Sequence, residues 1–319
     1  MPNPEIRAGD VLLFHGKGLV SWAIRRLDGT DVNHAAVALD DAELGEATAV
    51  GLVTNPIGAV VAKNDYTLIR RLPADDLSMA PVVDTAREYL SSGAPYAFQQ
   101  ILLLAILTLT RRLSFKDQLI RRMVRGILDR AALLLNSFID AGTDLMICSE
   151  FVFRCYDEAG DDRYRLAGWE RAVRDMPTDE GLLLDWAKAQ PLPRAPVRAA
   201  TSEVEEPLEL AVRMEGELEH LIADFARADS PTDREIAALD QLGAPKAPPE
   251  ETTDEQLLFA TIRFRDAMVR RAGQTAGDVP DARGVADPWE LLEETMADFV
   301  TPGDLLHSAS LVTVGELLP

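Results

Sequence analysis

Cysteine is nearly absent from this chain of 319 residues, which contains only Cys148 and Cys155. Two cysteines cannot form the disulfide framework that stabilises many small secreted proteins, so a reducing compartment is expected. The first residues also lack a basic stretch followed by an apolar run, so no signal peptide is predicted. Together these two absences predict a cytoplasmic protein.

Positive charge is scarce as well. The chain has 32 Lys and Arg against 53 Asp and Glu, which gives a net charge of −21 at pH 7. A nucleic-acid-binding protein needs a basic surface for phosphates, so no nucleic-acid partner is expected. The apolar run Ile101–Thr110 is shorter than the roughly 20 residues that span a bilayer, and its first interpretation is a buried core helix.

The pattern of apolar residues changes along the chain. Short apolar runs between Gly, Asp, Asn and Pro, up to about residue 72, are typical of β-strands. These runs are Val11–Phe14, His34–Leu39, Gly51–Val53, Ala59–Val61 and Thr67–Ile69. Helical spacing follows, first in Met79–Leu90 and then over residues 98–139. The chain is therefore expected to have an α+β fold.

The segment 98–139 carries a local excess of positive charge. Its charged residues are Arg111, Arg112, Lys116, Arg121, Arg122, Arg125 and Arg130, with Asp117 and Asp129. A solvated helix face is one interpretation. The other is a basic amphipathic element over residues 99–135 that contacts an anionic membrane peripherally, at its inner face, or seats an amphiphilic substrate.

The composition shifts again from about residue 190. Gln190–Pro196 has the proline content of a linker, and acidic helices are predicted at 203–227, 232–241 and 253–272. No catalytic motif is visible there. The pattern predicts an acidic, α-helical accessory region over residues 200–300.

Both cysteines lie in the stretch LMICSEFVFRCY, seven residues apart on one predicted helix that ends at Ala159–Gly160. Seven residues of helix span about 10.5 Å. A disulfide needs Cα atoms within about 7 Å, and shared zinc needs both sulfurs within about 2.3 Å of the metal. The sequence therefore predicts neither a disulfide nor a metal site.

The two cysteines differ in their position on that helix. Cys148 is at its start, where the positive end of the helix dipole stabilises a thiolate and unpaired N–H groups can bind an oxyanion. Cys155 lies in the middle of the helix and is expected to pack in the core. Cys148 is therefore the candidate nucleophile, although a buried free cysteine is a common structural residue.

A nucleophilic cysteine needs a base, and histidine is the usual one. The histidines are His15, His34, His220 and His307. His220 and His307 lie in or beyond the acidic region and are predicted to be on the surface. His15 follows the first strand and could line a cleft. His34 opens a strand after a polar turn, where its side chain can face a helix N-terminus, and is the preferred base.

The base needs a third polar group on a neighbouring strand to orient it. Glu46, in the next β segment, is the candidate, although an exposed edge carboxylate would give the same pattern. Asp31, Asn33 and Glu43 are the alternatives.

The order of these motifs resembles the circularly permuted papain-like families of the NlpC-type superfamily, in particular the YiiX-like cysteine peptidases and amidases. In these families the histidine precedes the cysteine in the chain. The matching motifs are Gly9-Asp10, Asn33-His34, Glu46-Ala47 with Gly51, Ser92–Tyr96 and Cys148-Ser149-Glu150. The stretch Thr301–Ser308 resembles the tail of that group's domain.

This resemblance implies a permuted papain-like fold, with a small antiparallel β-sheet or barrel packed on helices. The catalytic domain would cover residues 1–190, with 98–139 inserted in it. Residues 200–300 would be a further insertion, and 301–319 would return to the catalytic domain.

The resemblance also implies that Cys148 is the nucleophile, His34 the base and Glu46 the third member of a triad. The candidate substrate-binding residues are His15, Asn33, Tyr96, Ser149 and Glu150. The implied activity is that of a thiol hydrolase, peptidase- or amidase-like, acting on a peptide or amide bond without a cofactor. The alternatives are a lipid-directed acyltransferase or acyl hydrolase of the lecithin:retinol acyltransferase-like type, acting on a lipid ester, and a non-enzymatic binding module.

Overall fold

A computed structural model describes residues 4–48, 51–74, 76–91, 99–113, 115–142, 146–167, 181–191, 207–228, 251–275, 287–297 and 299–319. The chain divides into two compact units. The first comprises Met1–Gln100, Leu145–Ala172 and Val300–Pro319, and the second Ile101–Asp144 and Val173–Phe299.

An antiparallel sheet organises the first unit. Its strands are β1 (Val11–His15), β2 (His34–Ala38), β3 (Glu43–Thr48), β4 (Gly51–Pro56), β5 (Tyr66–Arg71) and β8 (Val312–Leu317). They form one six-stranded sheet in the order β4-β3-β2-β1-β5-β8. The C-terminal strand β8 pairs with β5, so the end of the chain completes the sheet that its beginning starts.

Helices pack on both faces of this sheet. The described helices of the first unit are α1 (Leu19–Asp28), α2 (Ile57–Val61), α3 (Ala80–Ser91), α6 (Cys148–Asp157) and α11 (Pro302–His307). Alternate residues of a strand point to opposite faces, so β1 and β2 contribute to two cores. Val11 and Val37 belong to the core that α3 and α6 complete. Leu12 and Ala36 belong to the other, with Ile57 of α2. The expected α+β class, with an antiparallel sheet packed on helices, is confirmed.

One predicted strand is a helix instead. Ala59–Val61 was expected to be extended because it is a short apolar run between turn residues, but it forms the end of α2. The buried residues Ile57, Val60 and Val61 have the i, i+3, i+4 spacing of a helix face, and Gly58 and Ala59 are exposed. Burial of that face outweighs the β-propensity of valine, because propensity is a weak preference that packing readily overrides.

The second unit is mainly helical. It contains most of α4 (Gln99–Thr110), together with α5 (Gln118–Asp140), α7 (Leu183–Lys188), α8 (Pro207–Ala228), α9 (Asp254–Thr275) and α10 (Pro288–Ala297). The helical segment predicted over 98–139 is interrupted by the short strand β6 (Arg112–Leu113). This strand pairs with β7 (Gly181–Leu182) in a two-stranded sheet. The helices predicted at 203–227 and 253–272 correspond to α8 and α9, and the one at 232–241 lies outside the described residues.

Charged side chains of both signs connect α5 to α9. Arg121 Nη2 lies 2.5 Å from Asp254 Oδ1, Arg263 pairs with Asp129, and Arg270 Nη2 lies 2.8 Å from Asp140 Oδ1. The partners advance in the same direction along both helices, so α5 and α9 run parallel. Among the described helices, none combines the length and apolarity needed to cross a membrane.

Candidate active site

Cys148 is the first residue of α6, as the helix-start pattern predicts. Its side chain is buried, with 2% of the residue exposed. Glu150 caps the helix, because its Oε2 accepts a hydrogen bond from the backbone N–H of Ile147 at 3.4 Å. This end of the helix carries backbone N–H groups without an intrahelical acceptor, beside the sulfur.

His34 is the first residue of β2, at the end of the sheet, and it contacts both of its predicted partners. Its Nε2 lies 2.7 Å from Oε2 of Glu46 on the neighbouring strand β3. The side chain of Cys148 lies close enough to act on the charge of the same imidazole. Because Nε2 faces the carboxylate, Nδ1 is the ring nitrogen that remains for the sulfur.

The surroundings of His34 favour its charged form. The side chain is 18% exposed. Burial lowers the pKa of His34, but Cys148 and then Glu46 outweigh it and raise the pKa from 6.5 to about 10. A shift in this direction favours the protonated, imidazolium form of His34.

Glu46 is held by two partners. Its Oε1 accepts a hydrogen bond from Nδ2 of Asn55 at 2.8 Å, and its Oε2 faces His34. Burial opposes ionisation, but the contacts with His34 and Asn55 lower the pKa of Glu46 below its usual value. Asn55 was missed in the sequence because it stands between Thr54 and Pro56, where asparagine usually indicates a turn.

Cys155 occupies a different environment on the same helix. It is fully buried in the core beside Phe151 and Val152. Burial, and secondarily the charge of Glu158, raises the pKa of the Cys155 thiol. A neutral thiol without access to solvent is neither a nucleophile nor a metal ligand, so Cys155 packs as predicted.

Two of the predicted substrate-binding residues form hydrogen bonds with neighbouring segments of the first unit. The Asn33 side chain accepts a hydrogen bond from Gly16 N at 2.6 Å and donates one to Ser21 Oγ at 3.1 Å. His15 Nδ1 lies 2.6 Å from the backbone oxygen of Asp31, and its ring contacts Tyr66 at 4.8 Å between centroids. Burial, followed by the charge of Arg25, lowers the pKa of His15. A contact of either residue with substrate stays a prediction.

Ser149 and Glu150 are also engaged within the first unit. Ser149 is fully buried and donates a hydrogen bond to the backbone oxygen of Val300 at 2.6 Å. Glu150 pairs with Arg154 one turn further along α6, at 2.8 Å. Tyr96 lies outside the described residues. These three roles in substrate binding likewise stay predictions.

The segment that follows Val300 is fixed to α1. Thr301 donates its hydroxyl hydrogen to Asp28 Oδ1 at 3.1 Å, and the backbone N–H of Gly303 donates to Asp28 Oδ2 at 2.9 Å. A Cβ at position 303 would come within 2.5 Å of that carboxylate, so only glycine fits. Through Val300, the start of α6 is therefore connected to a C-terminal segment that is itself hydrogen-bonded to α1.

Of the candidates for the third group, Glu46 is the one whose side chain reaches His34. Asp31 uses its backbone oxygen for His15, and Glu43 is exposed at the start of β3. Within the described ranges, no three His, Cys, Asp or Glu side chains converge in a way that could hold a metal ion.

Comparison with known proteins finds a relative among curated proteins. No family model matches the chain. The probable lipoprotein peptidase YaeF of Escherichia coli K12 is 26% identical over 162 residues, which cover 49% of this chain. The match spans only 57% of YaeF's own length.

A solved structure is also similar, though distantly. It is the metalloprotein YiiX from Escherichia coli O157:H7, 18% identical with a TM-score of 0.32 over 50% of this chain and 69% of that one. A likeness this distant carries no argument. The similarity to YaeF and the order of a histidine strand before the cysteine helix support the resemblance to the YiiX-like group of circularly permuted papain-like peptidases.

Proposed function

We propose that this protein is a thiol hydrolase of peptidase or amidase type that cleaves an amide or ester bond through Cys148, His34 and Glu46. The observation that carries the proposal is the contact of one imidazole with both a helix-start cysteine and a buried carboxylate. This is the arrangement that cysteine nucleophiles require: a base within reach, itself oriented by a third group.

The reaction then proceeds in two acyl-transfer steps. The Cys148 sulfur attacks the substrate carbonyl carbon, and backbone N–H groups at the start of α6 stabilise the oxyanion, each worth about 2.7–4 kcal/mol in comparable enzymes. The His34 imidazolium gives its proton to the leaving amine or alcohol as the carbonyl–heteroatom bond breaks. Water, deprotonated by His34, hydrolyses the thioester and restores the thiolate. Glu46 keeps the ring oriented throughout.

The similarity to YaeF, a probable lipoprotein peptidase, supports an amide bond as the target. The triad geometry suits ester cleavage equally well, because both reactions pass through a tetrahedral oxyanion. An activated ester such as p-nitrophenyl acetate is therefore a suitable probe for the chemistry before the natural substrate is known.

Selective alkylation tests the proposal. Burial lowers the pKa of His34, but Cys148 and Glu46 raise it to about 10, so the imidazolium keeps its proton as the pH rises past 6.5. An imidazolium beside the sulfur assists its attack, and we expect iodoacetamide to label Cys148 faster than free cysteine at pH 7. Free cysteine is the reference because its thiol is mostly protonated at that pH.

The matched control is Cys155 in the same sample, read by peptide mass spectrometry. We expect no labelling of Cys155 in the native protein and labelling of both cysteines in urea. If Cys148 reacts no faster than free cysteine at pH 7, the hydrolase proposal fails, and a non-enzymatic binding module becomes the better interpretation.

The alternative, a lipid-directed acyltransferase or acyl hydrolase, rests on the apolar helix α4 and the arginines of α5. In the structure the apolar residues Ile101–Leu107 and Leu109 are buried, as the core-helix interpretation predicts. Arg130 of α5 pairs with Glu217 at 3.0 Å, and Arg121 pairs with Asp254. The exposed basic residues next to them are Arg112 and Lys116.

Vesicle flotation separates the two activities. Because the apolar residues of α4 are buried and Arg121 and Arg130 are paired with carboxylates, we expect the full chain not to float with vesicles of phosphatidylserine and phosphatidylcholine. A lipid-directed enzyme would float with them, and the charge reversal Arg112→Glu with Lys116→Glu would release it. The matched control reverses two exposed arginines of the first unit, Arg87→Glu with Arg163→Glu, and leaves the basic segment intact.

A further inference from the structure

Asn55 stands on the edge strand of the sheet, at the far end of the line of polar groups that begins at Cys148. In the register, Ala36 of β2 pairs with Glu46, and Leu44 of β3 pairs with Asn55. His34 is two residues before Ala36, and Leu44 two before Glu46. Strand alternation therefore puts His34, Glu46 and Asn55 on one face of three neighbouring strands, diagonally adjacent.

The two oxygens of Glu46 have separate donors. Oε2 faces the histidine, and Oε1 accepts the amide hydrogen of Asn55 at 2.8 Å. Glu46 is 5% exposed, so water supplies little hydrogen bonding to this carboxylate. A buried charge without enough donors either takes up a proton or rotates towards another partner. Either change would remove the group that orients His34.

We propose that Asn55 is a positioning residue of the catalytic site, which holds Glu46 ionised and in the rotamer that orients His34. The inference rests on the proposed function, since it assigns Asn55 a part in the same site. Asn55 does not touch the reacting atoms. It acts on Glu46, and only through Glu46 on the imidazole and the sulfur.

The chemistry of an amide fits this role. Asparagine donates a hydrogen bond without a charge of its own, so it stabilises the carboxylate without competing with His34 for it. The other charged groups that act on Glu46 are His34 itself and Lys63, just after α2. Lys63 is exposed, and its charge has the smallest of the resolved effects on Glu46. Asn55 is therefore the main support of Glu46 besides the histidine.

Asn55→Asp and Asn55→Ala test the proposal. Asn55→Asp keeps the shape but replaces the donor with a second carboxylate at hydrogen-bond distance from Glu46. One of the two acids must then hold a proton. We expect both variants to lower kcat for p-nitrophenyl acetate about 10- to 100-fold with little change in KM, the size expected for a lost hydrogen bond to a charged group. We also expect the acid limb of the pH–rate profile to move to higher pH.

Asn64→Ala is the matched control. The Asn64 amide also donates one hydrogen bond of 2.8 Å, but to the backbone oxygen of Val60. We expect this variant to retain the wild-type kcat and pH profile. Protection of Cys155 from iodoacetamide shows whether each variant is folded.

The outcomes are distinguishable. If wild-type Cys148 is hyperreactive and folded Asn55→Asp matches the wild type in kcat and pH profile, the role of Asn55 is refuted and the hydrolase stands. If wild-type Cys148 is not hyperreactive, the proposed function itself fails. Should Asn55→Ala not fold, Asn55→Asp alone decides.

Discussion

Replacing Cys148 with alanine is expected to lower hydrolysis of p-nitrophenyl acetate by roughly 10⁴-fold or more, which is the scale on which serine hydrolases lose activity without their nucleophile. The reason is that alanine at the start of α6 leaves the oxyanion donors and His34 in place but removes the atom that forms the acyl-enzyme. Stopped-flow absorbance at 400 nm, read against protein-free buffer, measures the effect. The p-nitrophenolate burst of the wild type should disappear as well.

Cys155→Ala is the control for this variant. Cys155 is fully buried on the same helix, so its replacement disturbs packing but not the reacting groups. We expect it to lower the melting temperature by a few degrees, because core truncations of this size cost about 1 kcal/mol. Its kcat should stay within about twofold of the wild type. Equal loss of activity in both variants would show that the helix matters only as packing and would refute the nucleophile assignment.

Replacing His34 with glutamine is expected to lower kcat by about 10²–10⁴-fold, the usual contribution of a general acid–base residue. Glutamine can still donate a hydrogen bond to Glu46, so the buried carboxylate keeps a partner and the fold is preserved. It cannot accept or return the Cys148 proton. The fast labelling of Cys148 by iodoacetamide at pH 7 should fall to the rate of free cysteine or below it.

His15→Gln provides the comparison for this second variant. His15 is partly exposed at the end of β1 and hydrogen-bonds the backbone of Asp31. If it contacts substrate, as predicted, KM should change while the labelling of Cys148 stays as in the wild type. Should His15→Gln abolish the hyperreactivity of Cys148 and His34→Gln leave it intact, the base has been assigned to the wrong histidine.

The site residues that stand at the start of a helix or a strand could be predicted from the sequence. Cys148 follows an apolar run and precedes Ser-Glu, which indicates a helix start, and His34 follows a polar turn, which indicates a strand start. Both signals are local, so they do not depend on how the rest of the chain folds. For Glu46, the local pattern was equally consistent with an exposed edge residue, and only the family resemblance favoured a role in the site.

The parts that depend on pairing between distant residues could not be predicted. Asn55 reaches Glu46 because of the register between β3 and β4, and a shift of one residue would turn it to the other face. Ser149 was predicted to be a substrate-binding residue. Its acceptor, Val300, lies 151 residues further along the chain, and no local pattern connects the two.

The hydrogen bond between Ser149 and Val300 also has a consequence for the order in which the site forms during synthesis on the ribosome. At about 5–20 residues per second, translation separates the two partners by roughly 8–30 s. Strands β1 to β5 and helix α6 all precede Val300 in the chain, so histidine, glutamate and cysteine emerge well before the segment that anchors the helix. In the nascent chain, the nucleophile is therefore present before the support that fixes it in place.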